Sequence, residues 1–109
     1  MPRFDLRYRP AALADLEDIF RGVLRVSGSP VVARRYVERI RVRCRLIPTL
    51  PHAGRPRDDL APGLRTVAFE RRAVIVYRVV GAAVEITNVF HGGRNYAALY
   101  RRGEAEGDD

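Results

Sequence analysis

The sequence predicts an α+β domain in which a helical hairpin packs on one face of a small antiparallel sheet. Three observations support this prediction. A short alternating segment opens the chain, two amphipathic helical segments follow with a brief turn between them, and three strand-like segments fill the second half. The predicted order is β-α-α-β-β-β. We expect one domain over residues 1–102, followed by a disordered acidic tail over residues 103–109.

Alternation of apolar and polar residues predicts the first strand over residues 4–8. Pro10 ends this strand and suits the first turn of a helix. The first helix is predicted over residues 11–26, where apolar side chains recur at helical spacing. Ser29 is a good N-cap for the next helix.

The second helix is predicted over residues 30–47, and its short connection to the first makes an antiparallel hairpin. Cys44 falls on the apolar stripe of this helix, so we interpret it as a core residue rather than a reactive thiol. As the only cysteine, it can form no disulfide within the chain.

Residues 48–62 are rich in proline and glycine and are predicted as a loop. Strands are then predicted at Leu64–Phe69, Ala73–Val80 and residues 83–90. Gly81-Ala82 between the last two predicts a tight hairpin turn.

The central strand of this set has two apolar faces, although two helices can cover only one face of a small sheet. Its second face carries Val74, Val76, Arg78 and Val80. We therefore expect either the C-terminal segment or a partner to cover that face.

The net charge of +7 comes from 20 basic residues, all of them arginine. GC-rich codon usage explains this bias as well as an anionic partner does. No apolar run is long enough to span a membrane, and the N-terminus lacks the apolar core of a signal peptide, so we expect a cytoplasmic protein. The two histidines and one cysteine lack the spacing of a metal site. Without a glycine-rich phosphate loop either, we expect no metal and no cofactor.

Several residues with useful chemistry are expected to gather at one end of the sheet. The candidates are Arg65, Arg78, His91, Arg94 and Tyr100, with Tyr96 beside them. Such a group could cleave RNA, because a histidine can exchange protons, arginines can hold a phosphate, and a tyrosine can stack on a base or donate a proton.

Structural interpretations of the same residues remain open. His91 could simply cap the end of a strand. Arg65 and Arg78 could pair with acidic side chains, for which the candidates are Asp58, Asp59 and Glu85. His52, in the proline-rich loop, is expected to be solvated or to cap a turn.

The ordered set of motifs resembles the RelE/ParE family of toxins across residues 4–100. The motifs are Tyr8-Arg9-Pro10, Ala12-x-x-Asp15-Leu16-x-x-Ile19, Pro51-x-x-Gly54-Arg55-Pro56, Gly63-Leu64-Arg65, Tyr77-Arg78 and His91-Gly92-Gly93-Arg94. The first-helix motif and the Gly54-Arg55-Pro56 loop are closer to the ParE-like branch. Tyr100, six residues after Arg94, matches the spacing of a catalytic tyrosine in RelE-like members.

The resemblance implies a toxin that a cognate antitoxin neutralises by wrapping it. A ParE-like member would inhibit DNA gyrase without being an enzyme, whereas a RelE-like member would be a metal-independent endoribonuclease that cuts mRNA on the ribosome. The residues expected to contact the antitoxin are Val74, Val76, Arg78, Val80, Phe20 and Tyr36.

Overall fold

The computed structural model describes residues 4–92. Its elements are β1 (Asp5–Tyr8), α1 (Pro10–Ser27), α2 (Pro30–Leu46), a 3₁₀ turn (Ile47–Thr49), β2 (Arg55–Pro56), β3 (Leu64–Phe69), β4 (Ala73–Val80) and β5 (Ala83–His91). The predicted element order and α+β class are confirmed, and one short strand, β2, was not foreseen. The predicted tail over residues 103–109 lies outside the described residues.

Both helices begin and end where the sequence supplies the signals. Pro30 opens α2, and the Ser29 side chain accepts a hydrogen bond from the backbone N–H of Val32. Gly28 ends α1 with a positive φ, which is the left-handed conformation that glycine adopts without strain. No helix among the described residues is long and apolar enough to cross a membrane.

The five strands form one sheet in the order β1-β5-β4-β3-β2. Strands β3 to β5 pair antiparallel, as predicted, and so do β2 and β3, but β1 pairs with β5 in parallel, so the sheet is mixed. The backbone N–H of Arg9 continues this pairing by donating to the Ile86 carbonyl over 2.9 Å. A parallel pairing of the first and last strands depends on the path of the whole chain, which local sequence patterns do not encode.

A β-bulge interrupts β5 at Thr87. Val76 pairs with Asn88 and Tyr77 pairs with Ile86, which leaves Thr87 without an opposite residue. The Thr87 hydroxyl donates to the Val76 carbonyl over 3.2 Å. Because the bulge shifts the alternation by one residue, Val89 packs into the main core together with Ile86.

The main core lies between the helical hairpin and the sheet. It is built from buried side chains of α1, α2, β4 and β5, chiefly Leu16, Ile19, Ile40, Cys44, Ile75, Tyr77, Val84, Ile86 and Val89. Cys44 is fully buried, as predicted, and burial raises the pKa of its thiol. Tyr8 hydrogen-bonds to this thiol, and burial also raises the pKa of Tyr8.

A second, smaller core lies on the opposite face of the sheet, where Leu60 and Leu64 pack against Val76. The sequence predicted that the C-terminal segment or a partner covers this face. Part of the cover instead comes from the loop before β3, which folds back so that Leu60 reaches the sheet. Val76 is fully buried and therefore offers no surface to a partner, while Val80 remains 46% exposed.

Candidate functional site

Arg65 holds the loop before β2. Its guanidinium donates to two backbone carbonyls, those of His52 and Gly54, each over 2.8 Å. Neighbouring Tyr77 is the cross-strand partner of Arg65, and its hydroxyl donates to the Pro51 carbonyl over 2.8 Å and accepts from the Gly54 N–H over 2.9 Å. The two side chains thus fix four consecutive peptide groups of the loop.

His52 belongs to this loop and lies on its outer side. Its side chain is exposed, and its ring meets the ring of Phe4 edge to face at 6.5 Å. The prediction of a solvated side chain is confirmed.

Arg78 and Arg65 lie on opposite faces of the sheet, and Arg78 is on the face away from the helices. Its guanidinium binds the Glu85 carboxylate over 3.0 Å, and Arg9 approaches the same carboxylate at 3.4 Å. Arg78 and Glu85 are directly opposite each other on β4 and β5. One of the open pairings, Arg78 with Glu85, is therefore present, whereas Arg65 bonds carbonyl groups and not Asp58 or Asp59.

His91 ends β5 at the far end of the sheet. It pairs with Ala73, and its ring meets the Tyr36 ring at 5.3 Å in an edge-to-face arrangement. Tyr36 also contacts Phe69 at 5.9 Å, and the Arg39 guanidinium lies 5.2 Å from the centre of its ring. The Tyr36 hydroxyl is buried and has no hydrogen-bond partner among the described residues. Burial and, secondarily, the nearby Glu70 carboxylate raise the pKa of Tyr36.

The expected gathering of Arg65, Arg78 and His91 is wrong for these three residues. Arg65 pairs with Tyr77, whereas His91 pairs with Ala73, four residues away along β4. That separation is about 13 Å of strand. Arg65 and Arg78 also point to opposite faces, because side chains on paired strands share a face only when the residues are in register. Arg94, Tyr96 and Tyr100 lie outside the described residues.

The residues predicted to contact an antitoxin are dispersed. Val76 and Tyr36 are buried, and Val74 and Phe20 are partly exposed. Phe20 lines a shallow groove on the outer side of the helical hairpin, together with Arg34, Arg35, Val37 and Glu38. These positions form no continuous apolar surface, because the four strand residues lie on the face away from the helices, whereas Phe20 and Tyr36 belong to α1 and α2.

A second, apolar groove, absent from the sequence prediction, runs between the end of α2 and β3. It has a volume of about 300 Å³ and is lined by Arg43, Leu46, Ile47, Thr49, Leu50, Ala53, Val67 and Tyr77. Leu46 and Leu50 at its rim are 53% and 69% exposed. The spacing of these two leucines at i and i+4 was the signal that could have revealed the groove, but α2 ends between them and the chain continues as a 3₁₀ turn.

Asp15 links α1 to the sheet. Its carboxylate accepts from the Val89 N–H over 2.8 Å and from the Asn88 side chain over 3.4 Å. Parallel strand β1 ends before it reaches Val89, so Asp15 takes the place of the next strand residue at this edge of β5. Partial burial raises the pKa of Asp15, although both hydrogen bonds oppose the shift.

The β3–β4 turn is a second feature that the sequence prediction missed. Its two central residues, Glu70 and Arg71, have positive φ angles of 47° and 60°. The Glu70 carboxylate accepts two hydrogen bonds from Arg39, at 2.9 and 3.2 Å, and this contact lowers the pKa of Glu70.

No group of three metal-ligating side chains occurs within residues 4–92.

Comparisons with known proteins agree on one family. A family model described as the ParE toxin of the type II toxin–antitoxin system parDE matches residues 6–96. Toxin ParE3 of Caulobacter vibrioides is 36% identical over 93 residues, which cover 85% of this chain and 90% of that protein. A solved structure of the chromosomal ParDE TA system from P. aeruginosa is similar with a TM-score of 0.74 and 25% identity, covering 84% of this chain and 99% of that chain.

Proposed function

Because the chain belongs to the ParE toxin family of type II toxin–antitoxin systems, we propose that it inhibits DNA gyrase in the cytoplasm and that a cognate antitoxin neutralises it. The observation that carries this proposal is the ParE toxin match over residues 6–96, which spans every described strand and helix except the first residue of β1. In the resemblance drawn from the sequence, ParE-like members act on gyrase and not on mRNA.

The contacts of the candidate catalytic residues support a binding function over RNA cleavage. Arg65 already donates to two carbonyls, and Arg78 is paired with Glu85. A phosphate-binding arginine turns its planar fork towards the substrate, whereas these contacts direct both guanidinium groups towards groups of the protein itself. His91 lies too far along the sheet to act with Arg65 on one phosphate group.

The alternative function is a RelE-like endoribonuclease, which one sequence feature favours: Tyr100 follows Arg94 at the spacing of a catalytic tyrosine. Induction of the toxin in growing cells separates the two functions. We expect gyrase-dependent DNA breaks and an SOS response while mRNA stays intact. Cleaved mRNA without DNA damage, abolished by Arg94→Ala or Tyr100→Phe, would establish the ribonuclease instead.

The apolar groove beside α2 is the surface that best fits an antitoxin. A partner helix or strand with apolar side chains could cover Leu46 and Leu50, which a free protein exposes at a cost. Arg43 lines the same groove and could pair with an acidic residue of the partner. The antitoxin would thus seat an apolar and acidic segment between α2 and β3.

Placing a negative charge in this groove tests the antitoxin surface. Leu46→Glu should leave toxicity intact but prevent the co-expressed antitoxin from restoring growth, because it places a carboxylate in the apolar contact. Val26→Glu is the matched control, since Val26 is 89% exposed at the end of α1 and remote from the groove. Normal neutralisation of the Leu46→Glu toxin would show that the antitoxin binds elsewhere.

A further inference from the structure

The turn between β3 and β4 holds two non-glycine residues in a conformation that glycine and asparagine favour. The backbone N–H of Arg72 donates to the Phe69 carbonyl over 3.1 Å, which closes a tight turn around Glu70 and Arg71. Positive φ angles at both central residues are those of a type I′ hairpin turn, where Asn-Gly is the preferred pair. Backbone strain of this kind concentrates at functional sites.

Two further contacts hold the turn in place. The double hydrogen bond from Arg39 ties Glu70 to α2, and the Gly92 N–H donates to the Arg72 carbonyl over 2.8 Å. The turn is therefore anchored both to a helix and to the end of β5. Side chains presented from such an anchored turn lose less backbone freedom when they bind a ligand.

A pocket of about 110 Å³ opens directly beside the turn. Its floor is apolar and its rim is basic; the lining residues are Ala68, Arg71, Arg72, Ala73, Val74, Phe90 and His91. Arg71 and Arg72 are exposed, and neither makes an ion pair with any residue of the described range 4–92. The only carboxylate at the turn, that of Glu70, is already bound by Arg39.

We propose that this turn and pocket bind an acidic segment of a partner protein, with an apolar side chain in the pocket and carboxylates on Arg71 and Arg72. Arginine suits carboxylates because its planar fork can donate two parallel hydrogen bonds. The apolar floor favours a peptide over a nucleic-acid backbone, because a phosphate chain has no apolar group to place there. The partner meant here is the target of the toxin. The inference therefore rests on the proposed function in one respect, that this target is a protein.

Binding of a defined peptide to the full chain tests the site. The probe is a capped peptide of alternating glutamate and leucine, and its glutamine-for-glutamate counterpart is the control peptide. In ¹⁵N-labelled protein, the acidic peptide should shift the signals of Arg71, Arg72 and Val74 in a saturable manner. The glutamine peptide should cause much smaller shifts.

A charge-matched pair of double variants separates this site from the basic charge of the whole molecule. Arg71→Gln with Arg72→Gln should weaken peptide binding about fivefold or more, since two exposed charge contacts are lost. Arg25→Gln with Arg34→Gln removes an equal number of positive charges from the helices and should leave the affinity for the peptide unchanged. Equal weakening by both double variants, or shifts spread over all exposed arginines, would overturn the proposal.

A short DNA duplex serves as the competing ligand. Tighter binding of the duplex than of the peptide at the same three residues would also overturn the proposal. Failure of the site and failure of the proposed function remain distinguishable. Gyrase inhibition with no peptide binding would refute the site alone, whereas peptide binding without gyrase inhibition would refute only the gyrase target.

Discussion

At the scale of single residues, the contact between Gly54 and Tyr77 is the tightest constraint on the loop before β2. A Cβ atom on residue 54 would lie 2.7 Å from Cε1 of the Tyr77 ring, which is buried and bonded to the same loop. We expect Gly54→Ala to lower the free energy of unfolding by roughly 1–3 kcal/mol, because the ring cannot move without losing its hydrogen bonds. Urea denaturation measures this change.

Gly22 provides the matched control for that substitution. It lies inside α1, and an added Cβ would approach nothing closer than 3.9 Å. Gly22→Ala should therefore raise the free energy of unfolding by about 0.5–1 kcal/mol, since alanine has the higher helix propensity. Equal stabilities of the Gly54→Ala variant and the native protein would show that the loop is not held as described.

Arg71 offers a second test at this scale. Its φ of 60° is strained for an arginine and relaxed for a glycine. Arg71→Gly should raise the free energy of unfolding by roughly 1 kcal/mol, as relief of strain exceeds the extra entropy of the unfolded chain. A thermal melt of the two proteins measures the difference. A lower melting temperature for Arg71→Gly would mean that the arginine side chain supports the fold, contrary to our description of the turn.

The residue scale also shows where sequence reasoning was sufficient. Cys44 was placed in the core by its position on an apolar stripe, and the structure confirms it. The partners of Arg65 could not be predicted, because they are backbone carbonyls of a loop and every residue type has a backbone carbonyl. Asp15 was recognised only as part of the first-helix motif, and its contact with Val89 of β5, 74 residues away along the chain, was not predicted.

At the scale of secondary-structure elements, the bounds of β3 and β4 agree with the sequence prediction at both ends. Their limits are set by glycine, proline and charged residues, which are local signals. The parallel pairing of β1 and the bulge at Thr87 depend on which strands become neighbours. The sequence predicted antiparallel neighbours throughout, because three successive strands with short turns dominate the pattern.

The junction of α1 and β5 makes a testable prediction at this scale. Asp15→Ala should lower the free energy of unfolding by about 1–3 kcal/mol, since it leaves the Val89 N–H without its acceptor. Asp15→Asn keeps an acceptor oxygen at the same place and should cost much less at neutral pH. Denaturant unfolding of both variants distinguishes a hydrogen bond from simple packing, which would make the two costs similar.

The same junction predicts a pH dependence with a definite sign. Burial raises the pKa of Asp15 above its ordinary value of 3.8, so the folded state binds the proton more tightly than the unfolded state. The contribution of Asp15 to stability is therefore largest below pH 3.8 and declines as the pH rises through the raised pKa. Stability of Asp15→Asn relative to the native protein should increase over that interval. A decrease would mean that hydrogen bonding outweighs burial.

At the scale of the whole molecule, the arginines that give the net charge of +7 fall into two groups, paired and exposed. Several arginines are bound internally to carboxylates, among them Arg39, Arg57 and Arg78. Others, including Arg71 and Arg72, are exposed without an ion pair among residues 4–92. The internal pairs neutralise part of the positive charge, and the exposed residues give the surface its remaining positive charge, which favours acidic partners.

The family and the element order could be predicted from the sequence, because ordered motifs such as Asp15-Leu16-x-x-Ile19 and Gly63-Leu64-Arg65 indicate both. The geometry of the candidate site was not. The prediction that Arg65, Arg78 and His91 converge failed because it took nearness to strand ends as nearness in space. The register puts Arg65 opposite Tyr77 and His91 opposite Ala73, four residues apart on β4.

Direct assay with purified gyrase tests the central claim that this toxin acts on gyrase and not on mRNA. The full chain is added to gyrase, ATP and relaxed plasmid DNA, with and without pre-incubation with the cognate antitoxin. We predict that the toxin blocks supercoiling or traps gyrase on cleaved DNA, and that the antitoxin prevents this effect. Unimpaired supercoiling at toxin concentrations in excess of gyrase, together with toxin-dependent mRNA cleavage on purified ribosomes, would contradict the account.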